Sequence, residues 1–271
     1  MSPLGLIAGG GRLPVQIAES RRAEGQEVFV VRLKGAADPD LAEFPGVDAG
    51  LAELGRTVKA LRGAGCERVC FAGTVERLDP ATLKPDFAAL KYLPGVIAAA
   101  RRGDDALLRA ILSVFESEGF EIEGVGEAGR ALLLAAGPLG QLSPSSEHRA
   151  DIAIALAEAR AAGELDAGQG AVARDGVLLA AEGLDGTDAM LERLAPSDAR
   201  RGVLAKIPKP NQDLRVDVPT IGVRTVENVA RAGLAGIVGR PGALLIVDRP
   251  AVIAAADRLG LFVFGVEEAA P

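Results

Sequence analysis

The sequence predicts an α/β protein organised in two halves. Short apolar runs of strand length alternate with amphipathic helical stretches through most of its 271 residues. The first run, Leu4 to Ala8, ends in Gly9-Gly10-Gly11 and opens a helix, the start of a parallel βαβ unit. Gly, Pro and Ser then cluster without periodicity in GPLGQLSPSS, residues 137–146, which marks a linker. Residues 1–136 form the expected N-terminal domain and residues 147–271 the C-terminal one.

In chain order, a helix is expected from Leu13 to about Glu24 and a second strand over Val28 to Val31. The glycines let backbone N–H groups approach an anion at the helix N-terminus, so Gly10 and Gly11 are candidate substrate contacts. The dinucleotide fingerprint is only half present. Pro14 stands where the third glycine belongs, and the second strand runs into Arg32 and Lys34 rather than a ribose-holding acid. A nucleotide or sugar phosphate suits this turn better than NAD, and a merely tight turn is the plainer reading. A helix over Leu54 to Gly65 precedes the strand Arg68 to Ala72, which puts Thr74 at a carboxyl end, where open α/β sheets hold ligands. Cys66 and Cys70 are expected on one face of that strand as buried free thiols.

Helical stretches follow from Asp86 to Arg102, interrupted at Pro94-Gly95. Gly103-Asp104-Asp105 opens a strongly patterned helix. Its aspartates either cap that helix or turn one carboxylate, Asp104, towards a cleft. Phe120 to Val125 reads as a strand closing this half. In the second half, Ser145 or Ser146 caps an Ala-rich helix to about Ala162, and Asp175-Gly176 turns a hairpin. Thr187 suits the N-cap of a helix over 188–194. Gly186 and Thr187 also make a donor-rich anion pocket, so Thr187 and Asp188 join the candidate contacts.

The densest chemistry lies in Gly202 to Gly222, GVLAKIPKPNQDLRVDVPTIG. An apolar strand start is followed by Pro208, Pro210 and Pro219, which exclude regular helix or sheet. Into this stiff loop are packed Lys206, Lys209, Gln212, Asp213, Arg215 and Asp217. Cations clamp phosphate oxygens, while carboxylates hold magnesium or orient a water. Lys206, Lys209, Gln212 and Arg215 are candidate substrate contacts. Asp217 and Asp213 are the candidate catalytic carboxylates, and with Asp104 the candidate magnesium ligands. Asp217 is expected just before a helix beginning near Thr220.

Composition narrows the chemistry. A net charge of −7 argues against a nucleic-acid partner. A single histidine, His148, disfavours common zinc sites and a Ser-His-Asp triad. No apolar run is long enough to cross a bilayer, and no signal peptide is evident, so cytoplasm is expected.

LIAGGGRLP at the N-terminus, AGTVER from Ala72 and GDDALLRAI from Gly103 together resemble the LpxI-type UDP-2,3-diacylglucosamine pyrophosphatases. So do DAGQG from Asp166, EGLDGTDAML from Glu182 and KIPKPNQDLRVDVPTIG from Lys206. The resemblance spans essentially the full length, and the last two stretches are the most specific. It implies a Rossmann-like N-terminal domain and a C-terminal α/β domain with the ligand between them. It also implies magnesium-dependent hydrolysis of UDP-2,3-diacylglucosamine to UMP and 2,3-diacylglucosamine 1-phosphate (lipid X) in lipid A biosynthesis. The alternative is a non-catalytic nucleotide-sugar binding protein. Beside the lipid-linked UDP-sugar, transient contact with the inner membrane surface and a homodimer stay open as partners.

Overall fold

A computed structural model describes residues 2–75, 85–210 and 212–267. The chain divides into two units, residues 1–129 and 130–271. In the first, β1 (Leu4–Ala8), α1 (Leu13–Ala23), β2 (Val28–Leu33), α2 (Leu54–Gly63) and β4 (Arg68–Ala72) follow as expected, with a further strand, β3 (Gly46–Ala49), that the sequence did not announce. They are followed by α3 (Phe87–Leu90), α4 (Leu93–Ala100), α5 (Asp104–Ser117), β5 (Glu121–Ile122) and α6 (Val125–Ala128). The five strands are parallel in the order β3-β2-β1-β4-β5. This is the doubly wound order, and its direction reverses between β1 and β4.

β1 is buried at every position because sheet neighbours and helices cover both faces, which explains its unbroken apolar run. Ile7, Val31, Val58, Leu61, Val69 and Phe115 form one core layer. Glu123 is buried as well, ion-paired with Arg21 of α1 and with Arg68 of β4 at 2.5 Å. Three local expectations change. The strand expected over Phe120 to Val125 spans only Glu121–Ile122, and Val125 begins α6. Cys66 precedes β4 and packs in the layer of Val69, whereas Cys70 alternates away from Val69, so the two buried thiols do not share a face. Pro94 lies in the first turn of α4, where its missing N–H has no partner to lose, so it starts a helix instead of breaking one.

The second unit holds β6 (Gly137–Pro138), α7 (Arg149–Glu164), β7 (Gly170–Arg174), β8 (Val177–Ala181), α8 (Gly186–Arg193) and β9 (Val203–Lys206). It continues with β10 (Thr220–Ile221), α9 (Val223–Arg231), β11 (Gly236–Gly239), β12 (Leu245–Ile246), α10 (Arg249–Leu259) and β13 (Phe262–Gly265). Its main sheet is mixed, in the order β6-β13-β11-β9-β7-β8, with a parallel centre of β13, β11 and β9. β7 and β8 form the expected hairpin. Asp175 and Gly176 both take positive φ at its turn, as a primed hairpin turn demands.

Gly137 and Pro138 from the expected linker pair antiparallel with Gly265 and Phe264, so that stretch runs inside the second unit. Thr220 does not begin a helix. It pairs with Leu245 in a two-stranded parallel sheet, and α9 starts after Gly222. No helix among the described residues is long and apolar enough to cross a membrane.

Candidate functional site

At the switch point of the first sheet, the loops after β1 and β4 bind each other. Gly10 N–H donates to Thr74 O at 2.7 Å, and Thr74 N–H donates back to Gly10 O at 2.9 Å. A Cβ on Gly9 would stand 2.5 Å from Thr74 O, and one on Gly73, which has φ +91°, would stand 2.6 Å from Gly10 O. The glycines therefore serve a close backbone approach. The structure brings Gly10 and Thr74 together, but their N–H groups are spent on one another. Gly11, at φ +84°, has open space around its Cα, and Arg12 beyond it pairs with Asp40 at 2.5 Å.

The second unit holds most of the predicted residues, and two of them, Asp188 and Asp217, act on Lys206, the last residue of β9. Its side chain is buried, with 8% of the residue exposed, and Nζ donates to the Thr220 carbonyl at 2.9 Å. Burial lowers its pKa below the ordinary lysine value, opposed by the charges of Glu182, Asp188 and Asp217. Glu182 lies at the end of the hairpin, buried, and accepts a 2.6 Å hydrogen bond from Thr187 Oγ1. Gly170 admits this carboxylate, since a Cβ there would stand 2.7 Å from Glu182 Oε2.

Thr187 thus differs from its expected role. α8 begins at Gly186, two residues earlier than a Thr187 cap allows, and the hydroxyl is directed at Glu182. Asp188 in the same first turn lies 3.5 Å from Arg224 Nε and 3.4 Å from the buried Thr225 hydroxyl. Asp188, Glu182 and Lys206 are three charged groups in one neighbourhood, drawn from three separate elements.

The proline-rich loop is irregular, as its sequence demands, and it is held from outside. Lys209 N–H donates to Gln212 Oε1 at 2.9 Å, and Gln212 Nε2 donates to Gln169 Oε1 at 3.3 Å. Lys209 Nζ pairs with Asp166 at 2.8 Å. Asp213 and Arg215 form a fork, with Nε to Oδ1 at 3.0 Å and Nη2 to Oδ2 at 2.8 Å, while Asp213 Oδ1 also accepts from Arg215 N–H. Asp213 therefore shapes the turn. Asp217 N–H closes that turn onto Asp213 O at 3.0 Å, and its own carboxylate is exposed. The Asp217 charge nevertheless reaches Lys206.

Residue selection from sequence missed Asp166, Gln169, Glu182 and Thr225. The signal is present for three of them, since the motifs DAGQG and EGLDGTDAML contain Asp166, Gln169 and Glu182 without assigning them roles. Asp104, the remaining candidate ligand, opens α5, and its side chain lies outside the described residues, as do Glu76 and Arg77 of AGTVER.

Among the described residues no group of three or more His, Cys, Asp and Glu is arranged to hold a metal ion. Magnesium at phosphate sites commonly takes only one or two protein carboxylates and completes its shell with phosphate and water oxygens. An exposed Asp217 suits that mode. Asp213 would have to release the Arg215 fork.

Fold and site together define a class: a two-unit α/β protein with a buried lysine, carboxylates and a cation-rich loop at the carboxyl end of a central strand. The LpxI N-terminal domain family matches residues 3–132 and the LpxI C-terminal domain family matches residues 135–264. The chain is also similar to "UDP-2,3-diacylglucosamine pyrophosphatase LpxI" of Caulobacter vibrioides, 56% identical over 275 residues, covering 98% of each chain. The protein belongs to the LpxI family.

Proposed function

We propose that the protein hydrolyses the pyrophosphate bond of UDP-2,3-diacylglucosamine, adding water to give UMP and 2,3-diacylglucosamine 1-phosphate, a step of lipid A biosynthesis. The observation that carries this reading is the 56% identity, over 98% of both chains, to a pyrophosphatase named for that substrate. The buried Lys206, with the carboxylates of Glu182, Asp188 and Asp217 acting on it, agrees with it. A diphosphate brings two anionic groups, and charge builds on the leaving phosphate as the bond breaks, so cations placed there lower the barrier.

In this reading Lys206 stabilises phosphate charge from its low-dielectric position, where each interaction is stronger than in water. Lys209, Gln212 and Arg215 bind the phosphates and sugar, Lys209 exchanging Asp166 for substrate. Thr187, Asp188, Gly10, Gly11 and Thr74 complete the substrate contacts. Asp217 orients the attacking water or holds magnesium, with Asp213 and Asp104 as the other proposed ligands. Magnesium, when bound, would neutralise the diphosphate and polarise its phosphoryl oxygen. The proposal includes action in the cytoplasm against a membrane-resident lipid, as a homodimer or a monomer.

The test is a turnover assay on purified protein. UMP release from UDP-2,3-diacylglucosamine, abolished by EDTA and restored by magnesium, is expected. Full activity after exhaustive chelation would remove magnesium from the proposal. Stoichiometric binding without any UMP release would favour a nucleotide-sugar binding protein instead.

A further inference from the structure

The first unit exposes an apolar helical face. Lys91 and Tyr92, which join α3 to α4, both keep right-handed helical backbone, so side chains from Phe87 to Arg101 follow one helical periodicity. Phe87, Leu90, Pro94, Ile97 and Arg101, three or four apart, are exposed. Ala89 and Ala99 are buried, and Leu93 and Val96 are half-buried. Phe87 is 92% exposed, Leu90 49% and Ile97 40%. A helix of a globular protein normally turns its large apolar side chains inward. Here the only fully buried positions are two alanines, Ala89 and Ala99, while a phenyl ring, leucine and isoleucine face solvent.

Charge says what covers this face. From Pro85 to Arg102 there are three cations, Lys91, Arg101 and Arg102, and a single carboxylate, Asp86, in a chain of net charge −7. Asp86 is occupied by backbone, accepting from Ala89 N–H at 3.0 Å and Arg56 N–H at 3.1 Å. Lys91 pairs with Glu118, the C-cap of α5, at 2.9 Å, so the basic border of the stripe is carried by the two arginines. Arg101 and Arg102 are exposed at its end, ahead of the aspartates at 104 and 105. Bulky apolar side chains bordered by cations match an anionic lipid surface, which takes the former among acyl chains and the latter at headgroups. A single weak apolar contact anchors poorly, and a basic patch supplies the second signal.

We propose that α3–α4 is a membrane-docking surface that lies in the interface of an anionic phospholipid bilayer. Phe87, Leu90 and Ile97 enter the acyl region, and Arg101 and Arg102 meet the headgroups. The inference rests on the proposed function, which puts a diacylated substrate in a bilayer, and it names the surface that brings the enzyme there. Docking by this face is reversible, because no element of it is long enough to span.

The test is flotation of the full chain with vesicles, without substrate. Wild-type protein is expected to float with phosphatidylglycerol/phosphatidylethanolamine vesicles, less so in high salt, and hardly at all with phosphatidylcholine. Phe87→Glu/Ile97→Glu should weaken flotation at least tenfold, and Arg101→Glu/Arg102→Glu should weaken it severalfold, with thermal midpoints near wild type. Both variants should release UMP from detergent-dispersed substrate at the wild-type rate. Failure of wild type to float, or flotation indifferent to both variants, overturns the proposal. Collapse of UMP release in detergent with flotation intact would make this face a substrate contact, which also overturns it. So would a dimer dissociated by Phe87→Glu/Ile97→Glu in a protein that does not float. Flotation as expected without UMP release would leave the surface standing and count against the activity alone.

Discussion

Lys206 Nζ donates to the carbonyl oxygen of Thr220 at 2.9 Å, tying the end of β9 to the strand that follows the proline-rich loop. This one bond closes the loop across its base and fixes an ammonium in a buried position that Glu182, Asp188 and Asp217 help to keep charged. Lys206→Met keeps most of the volume and removes the charge. The expected outcome is a folded protein whose turnover falls by about two orders of magnitude or more, the range for losing an electrostatic stabiliser of developing charge. Lys206→Arg should rescue poorly, since a planar fork does not fit a site shaped for a point donor. Steady-state UMP release with a circular-dichroism melt checks both. Turnover near wild type in Lys206→Met would take the lysine out of the reaction.

Thr187 Oγ1 donates to the buried Glu182 carboxylate at 2.6 Å. Thr187→Val keeps the shape and deprives a buried acceptor of that donor, so it should destabilise the protein by about 1–3 kcal/mol. Substrate binding should weaken while kcat falls less. Thr187→Ser should restore most of the stability. Urea unfolding of the three proteins measures this, and equal midpoints would show that Glu182 is satisfied without the hydroxyl.

Burial pushes the Cys66 thiol up to about 11 and the Cys70 thiol up to about 12. In the unfolded chain they ionise at pH ~8.5. Above that pH the unfolded state sheds protons that the folded state keeps, so stability falls as pH rises, by about 1.4 kcal/mol per pH unit for each thiol. Below pH ~8 both states are protonated, and the thiols contribute no pH dependence. Urea unfolding under reducing conditions across the range from neutral to strongly alkaline pH should show a slope in wild type that Cys70→Ala reduces by one thiol's share. An unchanged slope in that variant would contradict the burial argument.

Much of the fold was legible because its causes are local. Leu4 to Ala8 with three following glycines announces a strand, a tight turn and a helix. Asp175-Gly176 announces a hairpin. Thr220-Ile221 misled because a two-residue strand has no pattern of its own and exists only through pairing with Leu245-Ile246. Gly137-Pro138 read as linker by composition, yet its pairing with Phe264-Gly265 is set from the far end of the chain. At the site, residue types were legible and directions were not. Asp213 and Asp217 look equivalent in sequence, but the Arg215 fork occupies one and leaves the other's carboxylate exposed. Asp166 and Gln169 reach Lys209 and Gln212 across 43 residues, a relation no local spacing encodes.

Asp217 is the carboxylate proposed to carry hydrolysis in this loop. Asp217→Asn keeps the shape and removes the charge. Single-turnover UMP release from UDP-2,3-diacylglucosamine, measured beside substrate affinity, tests it most directly. The account predicts a folded variant with near-normal affinity and a loss of about a hundredfold or more in turnover. Near-normal turnover in Asp217→Asn, with collapse in Asp213→Asn, would contradict it and move the role to Asp213.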